Sequence, residues 1–238
     1  MKTFFKIILS VVIVALIVAI AVPLSKKLTM RVQGIREQST IRDLYETEKS
    51  EDKNVVEPFV EKYENDEIVG FLEVTETNIK YPVTHTDNND FYLNHGYDKK
   101  FNINGALFMD KDSLESKNRI IYGHRMSTGT MFNDLPKLLN KERAEKATIK
   151  YYDNHGAEYD YKVFSVFRVP ASFDYRKVDF INDEDFRLYV KELKESSEID
   201  LDSELNRNVE DAKSIITLST CTYEQKNYRL VVVGFEGE

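Results

Sequence analysis

From Ile68 onward the apolar residues of this chain stop recurring at helical spacing and fall into short β-type runs. Eight such runs can be marked, at 69–74, 79–83, 106–109, 119–123, 147–152, 158–169, 214–220 and 228–235. They are rich in Val, Ile, Tyr and Phe, and turn residues separate several of them. Asn154-His155-Gly156 reads as a hairpin tip. Only one clear helix interrupts the last four, near 183–196, with Asn182 as its N-cap and Phe186, Tyr189, Val190 and Leu193 on one face. A shorter helix is expected around 131–146, where Met131, Leu135, Leu138 and Leu139 cluster. Eight short strands with few helices predict a mainly β protein, a closed barrel or a sandwich.

Upstream the pattern is different. Between Ile7 and Val22 only Ser10 is not apolar, and Lys2 and Lys6 precede the run while Lys26 and Lys27 follow it. With Pro23 and Leu24 the run approaches the shortest length that spans a bilayer. Ala19 and Ala21 form an A-x-A pattern that a signal peptidase accepts, but two lysines directly after it favour an uncleaved anchor. Lys26, Lys27, Arg31 and Arg36 on the far side leave the orientation open by charge counting. Residues 26–65 read as helical. Leu28, Val32 and Ile35 recur at helical spacing, Ile41, Leu44 and Tyr45 follow, and both stripes are expected to pack on the main domain. A second helix is expected from Asn54, with Asn54 and Glu57 as a capping box, Pro58 in its first turn and Val56, Phe59, Val60 and Tyr63 as its stripe. The expected organisation is therefore an anchor over 1–25, a helical region over 26–66 and a β domain over 67–238.

Composition narrows the function. The 238 residues carry a net charge of −8, which argues against nucleic-acid binding. A single cysteine excludes an intramolecular disulfide framework and any multi-cysteine metal site. There is no glycine-rich phosphate loop, no H-E-x-x-H and no G-x-S-x-G, and no His and carboxylate spacing of a metal cluster, so neither metal nor cofactor is expected.

The chemistry then rests on few residues. Cys221 ends the strand Ile215-Ile216-Thr217-Leu218-Ser219-Thr220-Cys221. A lone cysteine is usually a small buried hydrophobe, but one at a strand end beside Thr220 and Thr222 suits a nucleophile, which needs a histidine partner. Of four histidines, His155 belongs to a turn, and His85 and His95 lie in a polar stretch where solvated loop positions are the default. His124 ends the strand Arg119-Ile120-Ile121-Tyr122, with Gly123 beside it to permit a sharp exit. Arg229 opens the last strand. If 222–227 join antiparallel strands, Arg229 comes beside Cys221, where a cation can stabilise an oxyanion or hold a substrate carbonyl.

These motifs together resemble the sortases, cysteine transpeptidases of Gram-positive cell surfaces. Thr217-Leu218-Ser219-Thr220-Cys221 matches the T-L-x-T-C signature. Tyr122-Gly123-His124-Arg125-Met126, leading to Thr130-Met131-Phe132, resembles the histidine block of class B, and Arg229 before Leu230 to Val233 matches the family arginine. The resemblance covers about Ile68 to Phe235. It implies an eight-stranded sortase β-barrel with the helix near 183–196 marking class B, an extracellular catalytic domain on an N-terminal anchor, and His124, Cys221 and Arg229 as the catalytic set. The implied partners are secreted proteins bearing a C-terminal sorting motif, cleaved after Thr, and a peptidoglycan amine that accepts them, with the membrane held by the N-terminal helix. Glu57-Pro58-Phe59 reads as a helix start and not as the lid motif of pilus-building relatives, and 234–238 reads as soluble, so housekeeping or haem-protein anchoring is expected before pilus assembly. The sorting motif, N-P-Q-T-N-like or P-x-T-G-like, is not readable. Two other functions compete: a thiol hydrolase of the same peptides, and a noncatalytic membrane-anchored barrel in which Cys221 is merely buried.

Overall fold

A computed structural model of the chain describes residues 2–50, 54–201, 209–224 and 227–236. Eight strands close into one barrel in the order β1-β2-β3-β4-β7-β8-β6-β5. They are β1 (Ile68–Val74), β2 (Ile79–Thr84), β3 (Leu107–Met109), β4 (Asn118–Tyr122), β5 (Thr148–Asp153), β6 (Glu158–Pro170), β7 (Ile215–Cys221) and β8 (Tyr228–Glu236). Each expected strand is present, with ends within about one residue of the reading, as terminal pairing allows. Closure removes the exposed edges that an open sheet of this size would present. Two neighbouring pairs run parallel, β2 with β3 and β4 with β7; the others are antiparallel. The β5–β6 hairpin turns at Asn154-His155-Gly156, where Gly156 takes φ +87° and Asp153 accepts from the His155 and Ala157 amides.

The barrel has two hydrophobic layers. One fills its interior. The second lies outside β6, β7 and β8, where Phe164, Phe167, Ile215, Val231 and Val233 pack under Phe186, Tyr189, Val190 and Leu193 of helix α4 (Asp183–Glu195). This double burial explains the unbroken apolar run Leu230 to Val233, because a strand covered on both faces loses its alternation. Asn182 caps α4 by accepting from the Asp185 amide at 2.9 Å, and Asp183, Glu184 and Asp185 complement its dipole.

Three N-terminal and loop expectations need correction. Residues 2–50 form one continuous helix, α1 (Lys2–Ser50), with Pro23 inside it. Ile41 and Tyr45 are buried against the domain as expected, with Tyr45 stacked on Phe71 of β1 at 4.4 Å, but Leu28, Val32 and Ile35 do not pack on it; they are 61%, 38% and 46% exposed. Helix α2 (Glu57–Tyr63) forms with Phe59 buried, yet Asn54 makes no capping box: its side chain accepts from the Val56 amide in a local turn. The expected helix at 131–146 is a 3-10 stretch, Phe132–Leu139, followed by helix α3 (Lys141–Lys146). Pro136 inside the first piece and Asn140, which caps the second, divide it.

Candidate active site

β7 is the strand on which the site is built, and its two neighbours supply the rest. Across the antiparallel β7–β8 ladder, Cys221 is directly opposite Arg229. Directly opposed residues share a face with Cβ atoms about 4.5–5.5 Å apart, so the thiol and the guanidinium stem stand side by side. On the other flank, parallel β4 pairs Tyr122 with Ser219. His124 is two residues beyond Tyr122, as Cys221 is beyond Ser219, so both leave adjacent strands at one level. The Gly123 amide extends this pairing to the Ser219 carbonyl at 3.3 Å.

The three residues line one cleft of about 280 Å³ together with Asp90, Leu93, Tyr122, Tyr175 and Arg176. Cys221 is exposed there, and His124 and Arg229 are half-buried. The exposed thiol contradicts the reading of Cys221 as a buried hydrophobe. A larger hollow of about 620 Å³ lies between Gln33, Tyr63 and Phe101 and contains no thiol and no histidine.

Local chemistry fixes the histidine. His124 Nε2 is 2.7 Å from the Leu93 carbonyl. A carbonyl only accepts, so Nε2 carries a proton and Nδ1 is left to exchange one. Leu93 ends a 3-10 turn, Phe91–Leu93, which is buttressed by His95: its ring stacks on Phe91 at 4.0 Å and its Nδ1 donates to the Phe91 carbonyl. His95 is thus a packed support and not a solvated loop residue. Gly123 is needed for space, not for a turn. A Cβ there would run into Leu107 and meet Phe132 at 2.8 Å, and its φ is not in the left-handed region.

The loops beyond the two strands are clasped together. Arg125 Nη1 reaches both oxygens of Glu224 at 3.0 Å, its guanidinium lies 4.7 Å from the Tyr223 ring centre, and the Tyr223 hydroxyl donates to the Arg125 carbonyl. Hydrogen bonds from its own amide and from Arg125 hold the Glu224 carboxyl below its ordinary range. The sequence reading left Glu224 unassigned. It also passed over Tyr175, which is buried and shares a 2.8 Å hydrogen bond with Ser219 Oγ, while Tyr189 of α4 donates to the Tyr175 carbonyl. Burial raises the Tyr175 phenol's pKa. Tyr122 was missed as well; its hydroxyl donates to Asp110, and burial and that carboxylate keep it protonated. Alternation along β7 could have pointed to a partner for Ser219, but only the fold brings the β6–α4 connection over it.

Comparison with known proteins agrees with this architecture. The sortase domain model matches residues 72–236. Sortase B of Staphylococcus aureus is 35% identical over 175 residues, 71% of this chain and 70% of that protein. Among solved structures, Clostridium perfringens sortase B superposes with a TM-score of 0.70 at 29% identity, covering 76% of this chain and all of the other. A Staphylococcus aureus sortase B–substrate complex gives 0.70 at 27% identity, covering 89% and 97%. With a closed eight-stranded barrel, an exposed strand-end cysteine and these likenesses together, the chain belongs to the sortase family, as a class B transpeptidase.

Proposed function

We propose that Cys221, His124 and Arg229 are the catalytic set, and that the enzyme cleaves a C-terminal sorting motif after its threonine and joins the new end to a peptidoglycan amine. The observation that carries this is the pairing of Cys221 with Arg229 across β7–β8, with His124 level with Cys221 on the parallel neighbour.

In this reading the Cys221 thiolate attacks the threonine carbonyl carbon, and the displaced electron pair collects on oxygen. Arg229, fixed beside the sulfur, donates hydrogen bonds to that oxyanion. The tetrahedral adduct collapses with cleavage of the C–N bond. His124 gives its Nδ1 proton to the departing amine, leaving a thioester and a neutral imidazole. The acceptor amine then attacks the thioester, His124 takes back a proton, and the Cys221 thiolate leaves. The Leu93 carbonyl holds the imidazole in one orientation through both halves.

The same reading places the N-terminal helix in the membrane. Lys6–Ser25 is long and apolar enough to cross a bilayer, and none of its apolar span is buried by the protein. The chain is then an anchor over 1–25, a helical region over 26–66 and an extracellular catalytic barrel over 67–238. Incubation with a panel of sorting-motif peptides, with and without an amine acceptor, tests the reaction by mass spectrometry of the products. Transfer to the amine supports it. Release of free acid alone, even with amine present, would make the enzyme a hydrolase.

A further inference from the structure

The apolar stripe of α1 that leaves the barrel uncovered points to a second membrane contact. Leu28, Val32 and Ile35 are exposed, and at ~100° per residue they share one face of α1. Gly34, Ile41 and Tyr45 mark the barrel-facing side: Gly34 approaches Asn104 and Thr130, and the other two are fully buried. The stripe lies roughly 130° around the helix from that side. It therefore faces away from the domain.

Its flanks decide what covers it. Arg31 and Arg36 stand roughly 70° to either side of the stripe. The first acidic residue of the whole chain is Glu37, so this segment is purely basic, while the chain as a whole has 41 acidic residues against 33 basic. Spacing of four and three residues would also suit a coiled-coil seam with a second copy. In that arrangement Arg31 of one helix would face Arg36 of the other across the seam, a like-charge pair that disfavours association. An apolar stripe bordered by arginines suits the boundary of acyl chains and anionic headgroups instead, where the arginine stems lie on lipid and the heads reach phosphate.

Geometry permits it. At ~1.5 Å per residue Val32 is only roughly 10 Å along the helix from Ser25, where the apolar span ends. Pro23 lies inside α1 at that border and cannot donate to the carbonyl four residues before it. The helix is weakest there and can bend. We infer that α1 bends at Pro23 so that residues 25–36 run obliquely through the outer headgroup layer, with Leu28, Val32 and Ile35 bedded in lipid and Arg31 and Arg36 on lipid phosphates, before the helix rises into water. The barrel, docked on the opposite flank of the same helix, is then held at a fixed height above the bilayer. This inference rests on the anchor reading above.

The test uses the full chain with Cys221→Ser and one new cysteine, Val14→Cys, Val32→Cys, Ile35→Cys or Thr47→Cys, each carrying an environment-sensitive fluorophore. The vesicles contain phosphatidylcholine and phosphatidylglycerol, with quenchers placed shallow or deep in the lipid. Labels at 32 and 35 should shift to the blue and lose severalfold more emission to the shallow quencher than the label at 47, which should report water. Arg31→Glu with Arg36→Glu should abolish most of that difference; if it persists, the lipid-phosphate contact is wrong. If the label at 14 is quenched by the deep lipid while those at 32 and 35 behave like 47, the anchor stands and this inference falls. If the label at 14 is not quenched either, the anchor reading fails and takes the inference with it. Self-quenching at 32 without lipid quenching would assign the stripe to a second copy and overturn the proposal.

Discussion

Arg125, on the loop that carries His124 away from β4, reaches both carboxylate oxygens of Glu224, on the loop that carries Cys221 away from β7. The bond ties together two segments almost a hundred residues apart in sequence, beside His124 on one and three residues after Cys221 on the other. Half of the Glu224 side chain is in water, so the ion pair contributes at most ~1 kcal/mol to stability. Its consequence is positional. Glu224→Ala should leave Tm nearly unchanged while lowering kcat/KM about tenfold, equal to ~1.4 kcal/mol of transition-state stabilisation. Thermal melts and peptide kinetics on the same preparation check both halves.

Arg229→Lys separates charge from geometry. Lysine keeps the cation opposite Cys221 but loses the planar fork that can give two parallel hydrogen bonds. The variant should fold normally and lose roughly 10²–10³ in kcat, the range seen when one oxyanion donor is removed. Near-normal turnover would reduce Arg229 to a structural part of β8.

Gly123→Ala should damage activity more than stability. The added methyl must displace Leu107 and Phe132, an overpacking that costs about 1–3 kcal/mol. Any relief that moves Gly123 also moves His124, its neighbour, off the Leu93 carbonyl. Circular dichroism should show a folded barrel with a lowered Tm, and peptide turnover should fall further than the loss of folded protein accounts for.

The attachment of α1 to the barrel is pH-dependent through Glu73. Burial pushes this carboxyl's pKa up, but the Tyr45 hydroxyl at 2.6 Å and the Lys80 and Lys49 ammonium groups at 3.0 Å outweigh it, and the net shift is downward. A carboxyl depressed in the folded state stabilises the fold above its unfolded pKa of ~4.3 and ceases to do so as pH falls through the lower folded value. Glu73→Gln should therefore cost about 1–3 kcal/mol at neutral pH, and the Tm gap to the parent should close below about pH 4. A gap that stays constant into acid would show that Glu73 is not ionised in the folded protein.

The strands were legible because their residues obey local rules: β-branched and aromatic runs with turn residues between them. The partnership of Cys221 and Arg229 was legible too, because an antiparallel pair joined by a short loop fixes which residues face each other. His124 relative to Cys221 was not, since β4 and β7 are parallel and nearly a hundred residues apart, and no local pattern encodes that adjacency. Tyr175 and Leu93 escaped for the same reason: each acts through a loop whose position is set by what packs beneath it, α4 in one case and His95 in the other. The Leu28–Val32–Ile35 stripe misled because helical periodicity says that a face is apolar, not what covers it.

The most direct test of the account is the intact mass of the enzyme after brief mixing with a cleavable sorting peptide and no amine. The account predicts a mass increase equal to the N-terminal peptide fragment, mapped to Cys221, absent in Cys221→Ala, and discharged when amine is added. A Cys221→Ala protein that still cleaves the peptide, or an adduct on any other residue, would contradict it.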